Sequence, residues 1–386
     1  MKNHFVHFAF IGILALSAGC KKKTDIDFRP ETSNAVTNNS KGSLGAFFKN
    51  AALKPEVFQV NATTGGKFTS SKGITYTIDP GIFVKPNGQT AEGIVDVAVS
   101  EITKPSEMIM NDMPTNAIIT PQDSARQDSI NNPKIQEKGG MLNSFGEIKV
   151  EAKQNNEQLE LKADAEVKVQ IPQTAVPEPI VPTELVKTWT TRPVPTAGQI
   201  GHDFNNQVVF GATTMYESCF IWLEMPKPCI YLVNESNVPC LYMEVPRLNV
   251  YFNSDVLVEA PRQTTVLGYF TNVFNESETI ENLDGKQSNM LFFKKKGDNA
   301  VYKLYNNILN APEGKKGLLS YQNTMGIGME GTFIALVNKD GKFYAEKKDA
   351  TIGEPAAGKN FVGINFTLNE VTESQMLDLI KSVDYE

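Results

Sequence analysis

Histidines, cysteines, carboxylates and a glycine-rich hexapeptide are the residues through which this chain could do chemistry. Of three histidines, His4 and His7 lie in the first ten residues, and His202 stands alone beyond them. A Ser-His-Asp or Cys-His relay would have to use His202, whose Gly201 and Asp203 neighbours suggest entry into a loop. A metal site built on paired histidines has no second member. Gly326-Ile327-Gly328-Met329-Glu330-Gly331 has the spacing of a dinucleotide-binding turn. That turn works because a helix starts at its end and aims its N-terminus at pyrophosphate. Here Thr332-Phe333-Ile334-Ala335-Leu336 follows, a strand pattern, so a glycine-rich turn is expected and no nucleotide. Cys219, Cys229 and Cys240 are too far apart for a zinc knuckle, whose paired ligands are about two to four residues from each other. If the surrounding strands form a simple meander, neighbouring cysteines fall at opposite sheet ends and all three stay reduced, unless a strand changes sheet. The 44 acidic residues leave room for a glycosidase-type pair. None, however, stands in an apolar setting that would raise its pKa. Trp189, Trp222, Tyr216, Tyr231 and Tyr242 suit either a sugar-binding face or cross-strand packing, and packing is the preferred reading.

The N-terminus supplies one more reactive residue. Lys2 precedes an apolar run from Phe5 to Ala18, and Leu16-Ser17-Ala18-Gly19-Cys20 is followed by three lysines. A short apolar run ending in small residues has the anatomy of an export signal over 1–19 and is too short to span a bilayer comfortably. The Leu16–Cys20 stretch resembles the lipobox of bacterial lipoproteins, with Ser17 where leucine is usual. The resemblance implies cleavage before Cys20, acylation of Cys20 and a membrane anchor made of several acyl chains. Lys21, Lys22 and Lys23 would rest against anionic head groups. A lysine after the cysteine resembles lipoproteins sent to the outer membrane.

A net charge of −7 and no basic patch beyond Lys21–Lys23 argue against nucleic acid as a partner. No second long apolar run occurs, so the lipid alone is expected to hold the protein to a membrane. Residues 20–43 read as the lipidated cysteine and a polar tether. Residues 44–172 turn to β patterns: Ile74-Thr75-Tyr76-Thr77-Ile78 alternates, as do Ile148, Val150 and Ala152 with Glu and Lys between them. Such alternation predicts a sheet wet on one face, as in a sandwich. Ile78-Asp79-Pro80-Gly81-Ile82-Phe83, with the Asn87-Gly88 turn, resembles ZU5-like β-sandwich modules of Bacteroidota envelope proteins. That resemblance implies a fold and no catalytic residues. A polar excursion within 116–140 carries Asp123-Ser124-Ala125 and Asp128-Ser129-Ile130, similar to Bacteroidota O-glycosylation acceptors at Ser124 and Ser129, though so short a motif arises often by chance and an ordinary solvated loop is the preferred reading.

Residues 173–197 are proline-rich and read as a connector. Residues 198–386 read as a second β-rich domain, with a firm hairpin at Lys339-Asp340-Gly341. A short C-terminal helix follows, capped by Thr372 and Gln375. The expectation is therefore all-β: two β-sandwich-like domains, a Pro-rich connector and a C-terminal helix. The function expected is a lipid-anchored, non-catalytic binding, adhesion or scaffold module of the outer membrane, without cofactor. A carboxylate-based polysaccharide hydrolase and an assembly partner of an outer-membrane complex are the alternatives.

Overall fold

The structure is a computed structural model that describes residues 22–23, 43–119, 138–177, 179–180, 186–197, 200–202, 208–210, 213–234, 237–276, 288–308 and 315–385. It is all-β, with four main sheets. In chain order their strands are β1 (Glu56–Asn61), β2 (Gly66–Thr69), β3 (Thr75–Ile78), β4 (Ile94–Ile102), β5 (Asn116–Ile119), β6 (Lys138–Gln154), β7 (Val167–Pro172) and β8 (Lys187–Ala197). Then come β9 (Thr213–Pro228), β10 (Ile230–Val233), β11 (Pro239–Val245), β12 (Tyr251–Leu257), β13 (Gln263–Phe270), β14 (Asn289–Lys295) and β15 (Val301–Leu304). The last are β16 (Asn306–Ile308), β17 (Gly317–Leu319), β18 (Met325–Gly326), β19 (Glu330–Lys339), β20 (Lys342–Thr351), β21 (Phe361–Phe366) and β22 (Asn369–Val371). Helices are α1 (Leu44–Ala51), α2 (Pro105–Met110) and α3 (Glu373–Lys381).

The first sandwich faces a sheet ordered β1-β4-β6-β12-β8-β9-β5, with Lys22–Lys23 at its β1 edge, against a sheet ordered β10-β11-β7-β3-β2. Its core follows the period of two: Val95, Val97 and Val99 from β4 meet Val167, Val169 and Ile171 from β7. The second sandwich packs β16-β17-β13-β18, with β21 beside β13, against β15-β14-β19-β20-β22. Strands β14 and β19 are buried on both faces. Leu291 and Phe293 face the sandwich core, while Met290 and Phe292 face the other way. That second face meets α1, α2, α3 and the outer face of the first sandwich in a shared apolar layer containing Phe47, Met108, Trp189, Ile334 and Met376.

Local sequence explains many boundaries. Asp340 and Gly341 both take positive φ (54° and 76°) between paired Lys339 and Lys342, as a two-residue type I′ hairpin requires. Thr372 and Gln375 form the reciprocal capping box of α3. Two helices, α1 and α2, are additions to the sequence reading. Leu44, Phe47 and Phe48 are buried behind the Ser43 cap, and Pro105 opens α2.

The strand pairing differs from the sequence reading in three places. Of residues 173–197, read as a connector, Lys187–Ala197 form strand β8, which pairs with β9 over its length and with β12 at Lys187–Thr190. Pro193 and Pro195 lie beyond that second pairing, where β8 has one neighbour, and a register shift falls at Pro193. A missing N–H is tolerated there as on an edge strand. The strands from 213 to 257 are not a meander either. The chain leaves the larger sheet at Cys229, forms the β10–β11 hairpin in the smaller one, and returns as β12. Strands on both sides of 173–197 therefore share both sheets of the first sandwich. Finally, the face of β6 carrying Glu147, Lys149 and Glu151 is not wet: Glu147 and Glu151 are buried, and Lys149 is half-buried.

Candidate functional site

Covering that face buries charge. Glu147 lies opposite Ile102 of β4 and Asn253 of β12, and Asp255 lies opposite Ser144. A register shift between Asn253 and Asp255, with Gly146 at φ 133°, places both acids on the covered side. Both carboxyls are fully buried, and neither oxygen of either has a hydrogen-bond partner. The Ser144 hydroxyl, which donates to Asn253 Oδ1 at 2.8 Å, and the Phe145 backbone N–H lie beside Asp255 and oppose the rise that burial causes. Burial pushes both acids well above their ordinary pKa, and for Glu147 the neighbouring Asp255 and Glu107 add to the rise. These are the perturbed acids that the sequence did not reveal. The signal was an alternating strand whose outer face has a second apolar layer waiting for it.

The second sandwich closes over this region through the turn between β14 and β15. Asn299 Nδ2 donates to Ser144 O at 2.8 Å and to Thr103 O at 3.0 Å, and its own N–H donates to Asn143 Oδ1. Lys303, 1% exposed at its side chain, pairs with Asp112 at 2.6 Å. Asn116 exchanges hydrogen bonds with the Lys303 backbone through both ends of its amide.

A third perturbed acid sits on β4, opposite Ile148 of β6. Glu101 accepts from Tyr76 Oη at 2.8 Å and Ser70 Oγ at 3.0 Å. Burial raises its pKa to about 7, against the lowering effect of those two donors and Lys72. Lys72 itself binds the Glu101 carbonyl, Thr103 Oγ1 and Glu107 Oε2. The network ties the β2–β3 turn to the start of α2.

One open cleft contains two carboxylates. It encloses about 540 Å³ and is lined by Lys296, Glu330, Gly331, Thr332, Asp349 and Thr351. Glu330 is 59% exposed and paired with Lys296 at 3.1 Å, and Asp349 accepts from Thr332 Oγ1 at 2.6 Å. Neither acid is shielded in the manner a general acid requires. Its wall contains Glu330 and Gly331, the end of the glycine-rich hexapeptide, whose Gly328 turns at φ 87° before strand β19 begins at Glu330. No helix follows, so the hexapeptide lacks the phosphate-binding helix terminus.

Trp189 and Trp222 are each 1% exposed in the layer between the sandwiches, so they form no sugar-binding face. The Trp222 indole donates to Pro114 O at 2.9 Å. Tyr231 packs against the first core, and Tyr242 is half-buried on the outer face of its sheet. Cys229 and Cys240 are free, buried thiols, and burial raises the pKa of each. His202 lies in a short strand paired with Val208. Cys20, Ser124 and Ser129, and the side chains of His202, Tyr216 and Cys219, lie outside what the structure describes. Among the described residues no group of three or more His, Cys, Asp or Glu is placed to hold a metal ion, and no helix is long and apolar enough to cross a membrane. Comparison with family models, curated proteins and solved structures finds no match.

Proposed function

We propose that the protein is an envelope lipoprotein, anchored through Cys20, whose two sandwiches form a non-catalytic binding, adhesion or scaffold module. The observation that carries the non-catalytic reading is the state of the acids. The perturbed pair, Glu147 and Asp255, is sealed between the sandwiches, and the pair in the open cleft is solvated and already partnered. A catalytic acid needs both shielding and access, and these two pairs have one property each. The anchor rests on Leu16 to Lys23, where an apolar run ends in Ala-Gly-Cys and three lysines.

Fractionation and intact mass test the anchor together. The native protein should enter the membrane fraction and carry acyl mass on an N-terminal Cys20, and Cys20→Ala should remain uncleaved or become soluble. A native protein with a free, unacylated N-terminus would overturn the anchor. The hydrolase reading keeps one specific foothold, the Glu330–Asp349 cleft, and is tested there.

A further inference from the structure

Seven buried polar atoms without a hydrogen-bond partner belong to five residues: Glu147, Asp255, Asn253, Trp189 and Asn299. None of the five is more than 1% exposed. The strand register gathers four of them. Glu147 of β6 lies opposite Asn253 of β12, and Asn253 lies opposite Trp189 of β8, so these three form one row across the sheet. Side chains directly opposite one another share a face, about 5 Å apart. Asp255 stands two residues along β12 from Asn253, on the same covered side. The fifth residue comes from the second sandwich. Asn299 gives its amide nitrogen to the carbonyls of Ser144 and Thr103, and its Oδ1 has no partner. Ser144 lies opposite Asp255, and Thr103 follows Ile102, which lies opposite Glu147. A buried polar atom without a partner is costly and calls for an explanation, such as an ion or water bound there.

The chemistry of these atoms narrows the choice. Five of the seven are acceptor oxygens, both of Glu147, both of Asp255 and Oδ1 of Asn299, while Asn253 Nδ2 and Trp189 Nε1 donate. An all-oxygen set with two carboxylates, and no thiolate or imidazole, suits a hard divalent cation whose charge the two acids cancel. With only two acids, the amide oxygen and water complete the shell. Water on the cation accepts from Trp189 and Asn253, so one hydrated ion partners all seven atoms. Calcium fits better than magnesium. It takes about six to eight oxygens in flexible geometry, including carboxylates bound through both oxygens, whereas magnesium demands a near-ideal octahedron and gives up water reluctantly. We propose that Glu147, Asp255 and Asn299 bind a calcium ion between the two sandwiches, with Asn253 and Trp189 holding its water. The ion ties the β14–β15 turn of the second sandwich to the larger sheet of the first. This goes beyond the binding-module reading and depends on neither the anchor nor the absence of turnover.

Protons and calcium compete for the same carboxylate oxygens, so the protein in chelator is the reference state. Full-length protein in detergent is melted at pH 8 in chelator, in calcium and in magnesium, and its metal content is measured by elemental analysis after gel filtration. One calcium per chain is expected. Melting should rise by about 5–11 °C, for a domain of about 200 residues, once calcium exceeds its Kd about a hundredfold. Magnesium should raise it less. The Glu147→Gln/Asp255→Asn variant keeps the shape without the charge; it should hold no calcium and melt alike in all three. Terbium in place of calcium reads the location, because its emission excited through tryptophan should appear in the native protein and be absent in the variant. Native protein without calcium, a double variant that still binds or responds to it, or an equal response to magnesium would each overturn the proposal. Buried water and protons alone would give the first of these outcomes.

Discussion

Replacing Glu147 by glutamine and Asp255 by asparagine should stabilise the protein at neutral and alkaline pH and leave it nearly unchanged in acid. Both carboxyls are fully buried, and among the described residues no cation pairs with either. Burial therefore favours the protonated form, raising both pKa values above the ordinary 4.5 and 3.8. An acid whose pKa rises on folding contributes its stability fully below the unfolded value and loses it as pH climbs toward the folded one. Inside that window each group costs about 1.4 kcal/mol per pH unit, and two together about 2.7 kcal/mol. The pair interacts, so the slope belongs to both groups jointly. In a domain of about 200 residues, 1 kcal/mol moves Tm by roughly 2–4 °C, so one pH unit should shift Tm by about 5–11 °C. The amides keep the shape of the acids and cannot ionise. Thermal or urea melts in chelator from pH 4 to 8 should show the native curve falling steeply and the double variant running flatter and above it. Parallel curves, or a double variant less stable at pH 8, would refute the reasoning. They would mean that both carboxylates are ionised and satisfied in the fold.

Glu101 should titrate near pH 7 in a carbon-13 NMR experiment, as its burial implies, and Tyr76→Phe should move the midpoint higher by removing a donor to the ionised form; a midpoint at the ordinary 4.5 would count against the network. Gly331→Ala should lower stability by about 1–3 kcal/mol, since a Cβ there would lie 2.2 Å from Lys294 O and 2.6 Å from the Phe293 ring; an unchanged urea midpoint would show that this glycine is not a packing requirement. Asn299→Ala should strip donors from the buried carbonyls of Ser144 and Thr103, costing roughly 1–3 kcal/mol for each group left unpaired. Amide exchange in α2 should then quicken relative to the cores of both sandwiches, and equal protection throughout would contradict the role given to Asn299.

The parts of the fold legible in the sequence were those fixed by near neighbours. Asp340-Gly341 specifies its turn through φ alone, the Thr372/Gln375 box needs four residues, and the strand after Gly331 disposes of the nucleotide motif without outside help. What escaped depends on partners far along the chain. Pro193 and Pro195 look like a connector until β12 is seen to stop pairing with β8 at Thr190. Glu147 looks like the wet side of a strand until α2 and the second sandwich come to lie over it. The alternation of β6 names its two faces correctly. It is silent on which of them meets water, because a second apolar layer can lie against either one.

The claim that this is a binding module without turnover meets its most direct test at the Glu330–Asp349 cleft. Purified full-length protein and a Glu330→Gln/Asp349→Asn variant should be incubated with envelope polysaccharide and with envelope peptide, and new reducing ends and new amino termini counted over time. The account predicts no release above buffer by either protein. Release by the native protein that disappears in the variant would contradict it.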